Sequence, residues 1–319
     1  MHVFRWDLDK TYLDTDFESL RGLVRSATEP AHAKRAIPGA AALVRALGAR
    51  SESRIAILSG SPQQLRDVLE EKLRLDGVRF DSLTLKDSLG NLRRGRIRAL
   101  RGQLGYKLPA LLRARRSTES ATTETLFGDD AEADALVYSI YADAIAGRVT
   151  PAEVSRVMEA GGAYPDQIDG ALEALAGVPQ ATAVDRIFIR LDKGVPTSRF
   201  DALGARVVPI HSWWQGALLL LEMGHLDASA IHPILETVMW GEQLDYWAVG
   251  ALAQDLLRRG HIRPAVLELL PDPLRAECLR AVSRVGAQVR APVMPESIDY
   301  AALLRQGASH GWTGTPNSE

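Results

Sequence analysis

Six short runs of β-forming residues, most followed by a longer amphipathic stretch, fill the first two thirds of the chain. The runs cover residues 2–8, 54–58, 80–85, 124–127, 186–191 and 205–210, and helical patterns occupy 39–47, 62–73, 107–115 and 133–146. Helices between successive strands imply parallel pairing, because parallel neighbours need a long, right-handed crossover. The expected fold is therefore α/β, a parallel sheet sandwiched by helices. Ligands of such sheets bind outside the carboxyl ends of the strands, where the strand order reverses. The residues just after each run are the ones to inspect.

The strand signal stops after His211. Residues 212–223, 228–240, 246–259, 263–270 and 273–285 read as helices separated by Gly, Pro and Asp, with 298–305 as a further one. This gives a catalytic α/β domain over 1–211, with a helical insert at about 151–176 between the fourth and fifth runs. An all-helical C-terminal region follows over 212–309, then a flexible tail over 310–319. Trp213, Trp214 and Trp240 are read as helix-packing anchors rather than a stacking platform. The dispersed histidines, including His211, His225, His232 and His261, show no metal-ligand spacing.

Composition narrows the function. The chain has 319 residues, 46% of them apolar, which suits a packed protein rather than a disordered one. Its 38 Lys+Arg against 40 Asp+Glu leave a net charge of −2, without the basic surplus of a dedicated nucleic-acid binder. The single cysteine, Cys278, excludes an internal disulfide framework. No basic-then-apolar leader precedes the first run, and the longest apolar run, 217–221, is far below the roughly 20 residues of a transmembrane helix. A cytoplasmic protein without a transmembrane segment is expected.

The chemistry gathers at the strand ends. The first run leads into Asp7-Leu8-Asp9-Lys10-Thr11, two aspartates two residues apart on one side of an extended chain. One carboxylate can attack phosphorus while the other acts as general acid and base. The plain alternative is an acidic turn capping a helix. The second run ends in Ser59-Gly60-Ser61-Pro62, where a hydroxyl and an approachable backbone suit a phosphate oxygen, or where Ser59 simply caps a helix. Lys107, near a helix start, is ill-placed for the helix dipole unless an anion lies nearby, and Lys86 after the third run rivals it. The fourth run ends in Gly128-Asp129-Asp130-Ala131-Glu132-Ala133-Asp134. Carboxylates without histidine or cysteine suit a hard cation such as Mg²⁺.

Taken in order, D-x-D-x-T, a strand-end serine, a lysine and G-D-x-x-x-x-D resemble the four motifs of the haloacid dehalogenase (HAD) superfamily of phosphohydrolases. The resemblance spans roughly residues 1–210 and implies a Rossmann-like sheet. It makes Asp7 the nucleophile and Asp9 the general acid/base. Thr11, Ser59, Gly60 and Lys107 become the phosphate-binding group, with Thr11 also ordering the loop. Mg²⁺ is implied as cofactor, held by Asp7, by Asp9 through its backbone carbonyl, and by Asp129 with Asp130 or Asp134. A narrower likeness is to the actin-patch-protein group of phosphatidate phosphatases, through the S-x-S-P stretch at Ser59 and the sequence from Gly128 through Asp134 to Tyr138. Here Asp130 replaces that group's serine and Gly60 its asparagine.

The segments 12–53 and 78–106 leave room for little or no cap, so a largely open site is expected. It would admit bulky, lipid or macromolecular phosphoesters. An arginine loop, Arg93, Arg94, Arg96, Arg98 and Arg101, could face an anionic substrate or be no more than a solvated cluster. A phosphorylated substrate is the expected partner, and the helical region leaves room for a homo-oligomer. The alternative is a catalytically silent phosphate-binding scaffold that uses its C-terminal helices to bind a partner.

Overall fold

The computed structural model describes residues 1–15, 29–87, 102–131, 133–283, 295 and 297–308. Its centre is a sheet of six strands, β1 (His2–Asp7), β2 (Ser53–Pro62), β3 (Ser82–Lys86), β4 (Thr123–Asp129), β5 (Val184–Arg190) and β6 (Val207–Ile210). They lie in the order β3-β2-β1-β4-β5-β6, and every pair is parallel. The chain builds outward from β1 in one direction, then returns to its other side with β4. The reversal between β1 and β4 is where a parallel α/β sheet opens a crevice. The six-stranded parallel sheet expected from the sequence is present.

Helices α1 (Ala40–Gly48), α2 (Arg66–Leu75), α3 (Leu104–Arg116) and α4 (Asp134–Ile145) connect the strands, and α5 (Pro151–Ala160) and α6 (Pro165–Ala176) form the insert before β5. Threonine and proline start α5, with Thr150 and Glu153 forming a reciprocal cap. The insert is not a lid: α6 lies along α3, the helix that carries Lys107.

Alternation within the strands builds two hydrophobic layers. Leu126 and Ile187 face α3 to α6, whereas Phe4, Trp6, Phe127 and Phe188 face the other side. That second layer is closed by α1, α2 and the helices after residue 212, namely α7 (Trp213–Glu222), α8 (Ala228–Gly241), α9 (Tyr246–Arg258) and α10 (Leu274–Ser283). The last helix, α11 (Tyr300–Ala308), reaches back to the first layer through Tyr300. Residues on both sides of position 212 share this second layer. The Trp6 and Phe127 rings stack 4.0 Å apart and nearly parallel, and Trp213, from beyond residue 212, packs against both at a tilt.

Three local expectations are corrected. The segment expected as a helix at 263–270 is the tighter 3₁₀ form over Pro264–Leu269. Trp213 and Trp214 are buried anchors as expected, but Trp240 is 82% exposed at the end of α8 and packs nothing into the core. Ser59 is inside a strand rather than at a helix start, because β2 continues to Pro62 and α2 begins only at Arg66. The arginine loop at 93–101 and the tail at 310–319 lie outside the described residues. Among those described, no helix is long and apolar enough to cross a membrane.

Candidate active site

β1 delivers Asp7 to the carboxyl edge of the sheet, and β4, its neighbour at the reversal, delivers Asp129. Asp134 opens α4, and Lys107 comes from the first turn of α3. All four side chains are fully buried. Lys107 Nζ donates to Asp7 Oδ1 at 2.7 Å and also to Asp134 Oδ1. An ammonium held between two carboxylates makes charge-assisted hydrogen bonds that fix the Asp7 oxygen in direction. Of the two lysines singled out in the sequence, Lys107 is the one bonded to Asp7, whereas Lys86 lies buried at the end of the edge strand β3.

The loop after β1 turns sharply. Lys10 has φ 60°, the left-handed region that a side chain enters at a cost. Leu13 N donates to Leu8 O at 2.7 Å and Lys10 N to Leu13 O at 2.8 Å, which closes the turn and bends Asp9 back over the strand ends. Ser59 and Ser61 hydroxyls each donate to Asp9 Oδ2 at 2.9 Å, and the Thr15 hydroxyl reaches Oδ1 at 3.3 Å. Ser59 Oγ also accepts from Ser61 N at 2.9 Å. Ser59 therefore steadies Asp9 in this state. Thr11 donates to Asp129 Oδ2 at 3.4 Å, and its carbonyl accepts from the Trp213 indole at 3.0 Å. Gly60 lies beside the Gln103 side chain, whose Nε2 is 3.0 Å from where a Cβ would stand.

Asp129 and Asp130 part company although they are adjacent. Asp129 Oδ1 accepts from Ala131 N at 2.7 Å, and its side chain stays with Asp7 and Asp134. Asp130 instead accepts from the amides of Asp192, Lys193 and Val195, at 2.6, 2.9 and 3.3 Å, and so shapes the loop after β5. One oxygen each from Asp7, Asp129 and Asp134 lies within 4.8 Å of the others. Three buried carboxylates, two of them bonded to one lysine, make an oxygen-only donor set that suits a small hard cation.

Two contributors escaped the sequence reading. Ser61 was read only as part of a motif, yet it holds Asp9 as Ser59 does. Lys34, in the loop before α1, is buried within electrostatic reach of Asp9; burial pushes its ammonium down, while Glu29 and Asp9 oppose that shift. Nothing in the spacing of Lys34 marks it. The open site expected from residues 12–53 and 78–106 depends partly on 16–28 and 88–101, which lie outside the described residues.

Residues 6–153 match the family model described as the catalytic domain of phosphatidate phosphatase APP1. The match supports a hydrolase of phosphoric monoesters. It spans Asp7, Asp9, Ser59, Lys107, Asp129 and Asp134, and it stops before β5 and the C-terminal helices. No curated protein and no solved structure matches the chain.

The seat of Asp134 explains a glycine. A Cβ at Gly128 would stand 2.5 Å from Asp134 Oδ2 and 2.6 Å from its Cβ, so only glycine lets β4 pass under that carboxylate. Gly128→Ala is expected to displace Asp134 and to cut phosphatase turnover at least tenfold in a protein that still folds. Wild-type turnover in that variant would show that the position of Asp134 is immaterial.

Proposed function

We propose that this protein is a Mg²⁺-dependent phosphatase of the HAD type, acting on a lipid phosphate of the phosphatidate class. The observation that carries the reading is the buried Asp7–Lys107–Asp134 arrangement beside Asp129, at the sheet's reversal point and inside the span that matches a phosphatase catalytic domain. In this reading Asp7 attacks phosphorus in line; the Asp7–phosphorus bond forms as the bond to the leaving oxygen breaks. Asp9 gives that oxygen its proton. A water then attacks the aspartyl-phosphate, Asp9 takes the water's proton, and Asp7 is released with inorganic phosphate. Hydroxyls both donate and accept, so Ser59 and Ser61 can hold Asp9 in either protonation state. Lys107 offsets charge on Asp7 and on the transferring group. Asp7, Asp129 and Asp134 would hold Mg²⁺, which when bound stabilises negative charge on the phosphoryl oxygens.

The lipid assignment also rests on the rim. Trp240 is 82%, Trp247 63% and Tyr246 38% exposed. Gly241 is packed against Pro38, whose neighbour Ile37 donates to Tyr12 O in the loop that follows β1. Trp214, just beyond the carboxyl end of β6, donates its indole N–H to Val249 O in the first turns of α9. Gly241, next to Trp240, therefore lies close to the loop that follows β1. Tryptophan favours the headgroup level of a bilayer, where an apolar ring and a polar N–H are both accommodated.

Hydrolysis of phosphatidate presented in vesicles, compared with a water-soluble monoester, tests the assignment. Wild type should hydrolyse both with Mg²⁺. Trp240→Ala/Trp247→Ala should lose at least ~5-fold on vesicles, the loss expected from about 1 kcal/mol of interfacial anchoring, and little on the soluble ester. Equal losses on both substrates, or none on vesicles, would remove the lipid surface from the account. Absence of turnover on every monoester would favour the silent scaffold.

A further inference from the structure

The far edge of the sheet carries a second cluster of ligand-type side chains. His2 opens β1, Asp185 lies at the start of β5, and His225 follows α7. One ligand atom from each lies within 4.8 Å of the other two. His2 Nδ1 is 3.8 Å from Asp185 Oδ2, and the His2 and His225 ring centroids are 4.1 Å apart at an interplanar angle of 41°. The cluster stands at the opposite end of β1 from Asp7, about 16 Å away along an extended strand.

We propose that His2, Asp185 and His225 form a binding site for a borderline divalent cation of the zinc class, separate from the carboxylate site. Two imidazoles and one carboxylate are the donor set that zinc accepts with a water in the fourth position. Magnesium prefers oxygen alone, so the two ends of β1 select different metals. Zinc bonds near 2.1 Å place tetrahedral ligand atoms about 3.4 Å apart. The ligand atoms, now within 4.8 Å of one another, would draw closer to reach that geometry.

The surroundings fit a ligand role. Thr125 Oγ1 lies 3.0 Å from His2 Nε2, which fixes the ring and leaves Nδ1 toward Asp185. The Thr123 hydroxyl now lies 2.7 Å from Nδ1 and also bonds Asp185; it is the group a cation would displace from Nδ1. The Asp185 side chain is 41% exposed, leaving an approach from solvent. The consequence is a clamp: one ion would tie two strands of the sheet to the connection between α7 and α8, and hence to the C-terminal layer. The histidine spacing gave no sign of this because its two histidines are joined only by the folded sheet.

The test uses the full chain, stripped of metal and then titrated with Zn²⁺ or Co²⁺ in excess Mg²⁺. One equivalent of Zn²⁺ should be retained through gel filtration and raise the melting temperature. Co²⁺ should give the visible absorption of a four-coordinate site, bleached by Zn²⁺. His225→Ala and Asp185→Asn should each weaken Zn²⁺ binding beyond the ~10–100-fold typical of losing a ligand's supporting partner. Their circular dichroism and Mg²⁺-dependent phosphatase activity should be unchanged. Two results would overturn the site: Zn²⁺ binding equal in wild type and both variants, or binding abolished by Asp129→Asn but not by His225→Ala.

Discussion

Asp7→Asn is expected to abolish phosphatase turnover while leaving the fold intact. The amide has the volume of the carboxylate, so the end of β1 and the packing around it survive. It carries no charge to attack phosphorus, and its bond to Lys107 no longer joins opposite charges. Loss of a nucleophile that works as one unit with its partners costs about 10⁴-fold or more in kcat. Far-ultraviolet circular dichroism and the urea midpoint should stay near wild type. Turnover within tenfold of wild type in the folded variant would sink the nucleophile assignment.

The largest expected effect on stability lies away from the site. Arg5 on β1 makes a two-pronged contact with Glu124 on β4, both bonds at 2.8 Å. Arg115 from α3 adds a bond at 3.2 Å and Tyr141 from α4 another at 2.8 Å. Glu124 and Arg115 are fully buried and Arg5 nearly so. Glu124→Ala leaves two guanidiniums in the core without their carboxylate and is expected to cost about 3–5 kcal/mol. Arg115 keeps its bonds to the carbonyls of Thr122 and Ser120, so the deficit falls mainly on Arg5. Urea unfolding measures it; a loss below about 1 kcal/mol would mean that water or a shifted Arg115 fills the gap.

The same cluster sets a pH dependence. Burial alone would raise the Glu124 carboxyl, but the Arg5 guanidinium, with help from Tyr141 and Arg115, holds it below its ordinary range. A carboxylate depressed in the folded state stabilises above its unfolded pKa of about 4.3, and that contribution is lost as pH falls below it. Wild type should therefore lose stability in acid more steeply than Glu124→Leu/Arg5→Met. Parallel acid profiles would show that Glu124 does not differ between the folded and unfolded chain.

Much of the active end was legible because its chemistry is local. Asp7 ends one strand and Asp9 follows it, Asp129 and Asp134 straddle the junction of β4 with α4, and strand–helix alternation alone placed those ends on one edge. Legibility ended where partners meet through register. Glu124 pairs with Arg5 only because β1 and β4 are adjacent, and His2 meets His225 only once α7 has folded onto the sheet. Asp130 looks like a metal ligand in sequence, yet the loop after β5, which presents three amides to it, lies some sixty residues away. The amphipathic pattern of the C-terminal helices does not say which surface they cover; Trp213 against Trp6 shows that α7 covers the sheet.

The most direct test of the central claim is acid quenching during turnover of a ³²P-labelled monoester, followed by peptide mapping. The account predicts a hydroxylamine-sensitive acyl phosphate on Asp7, absent from Asp7→Asn and accumulating when Asp9→Asn slows hydrolysis of the intermediate. A phosphoryl group found on another residue would contradict it, as would turnover with no covalent intermediate in Asp9→Asn.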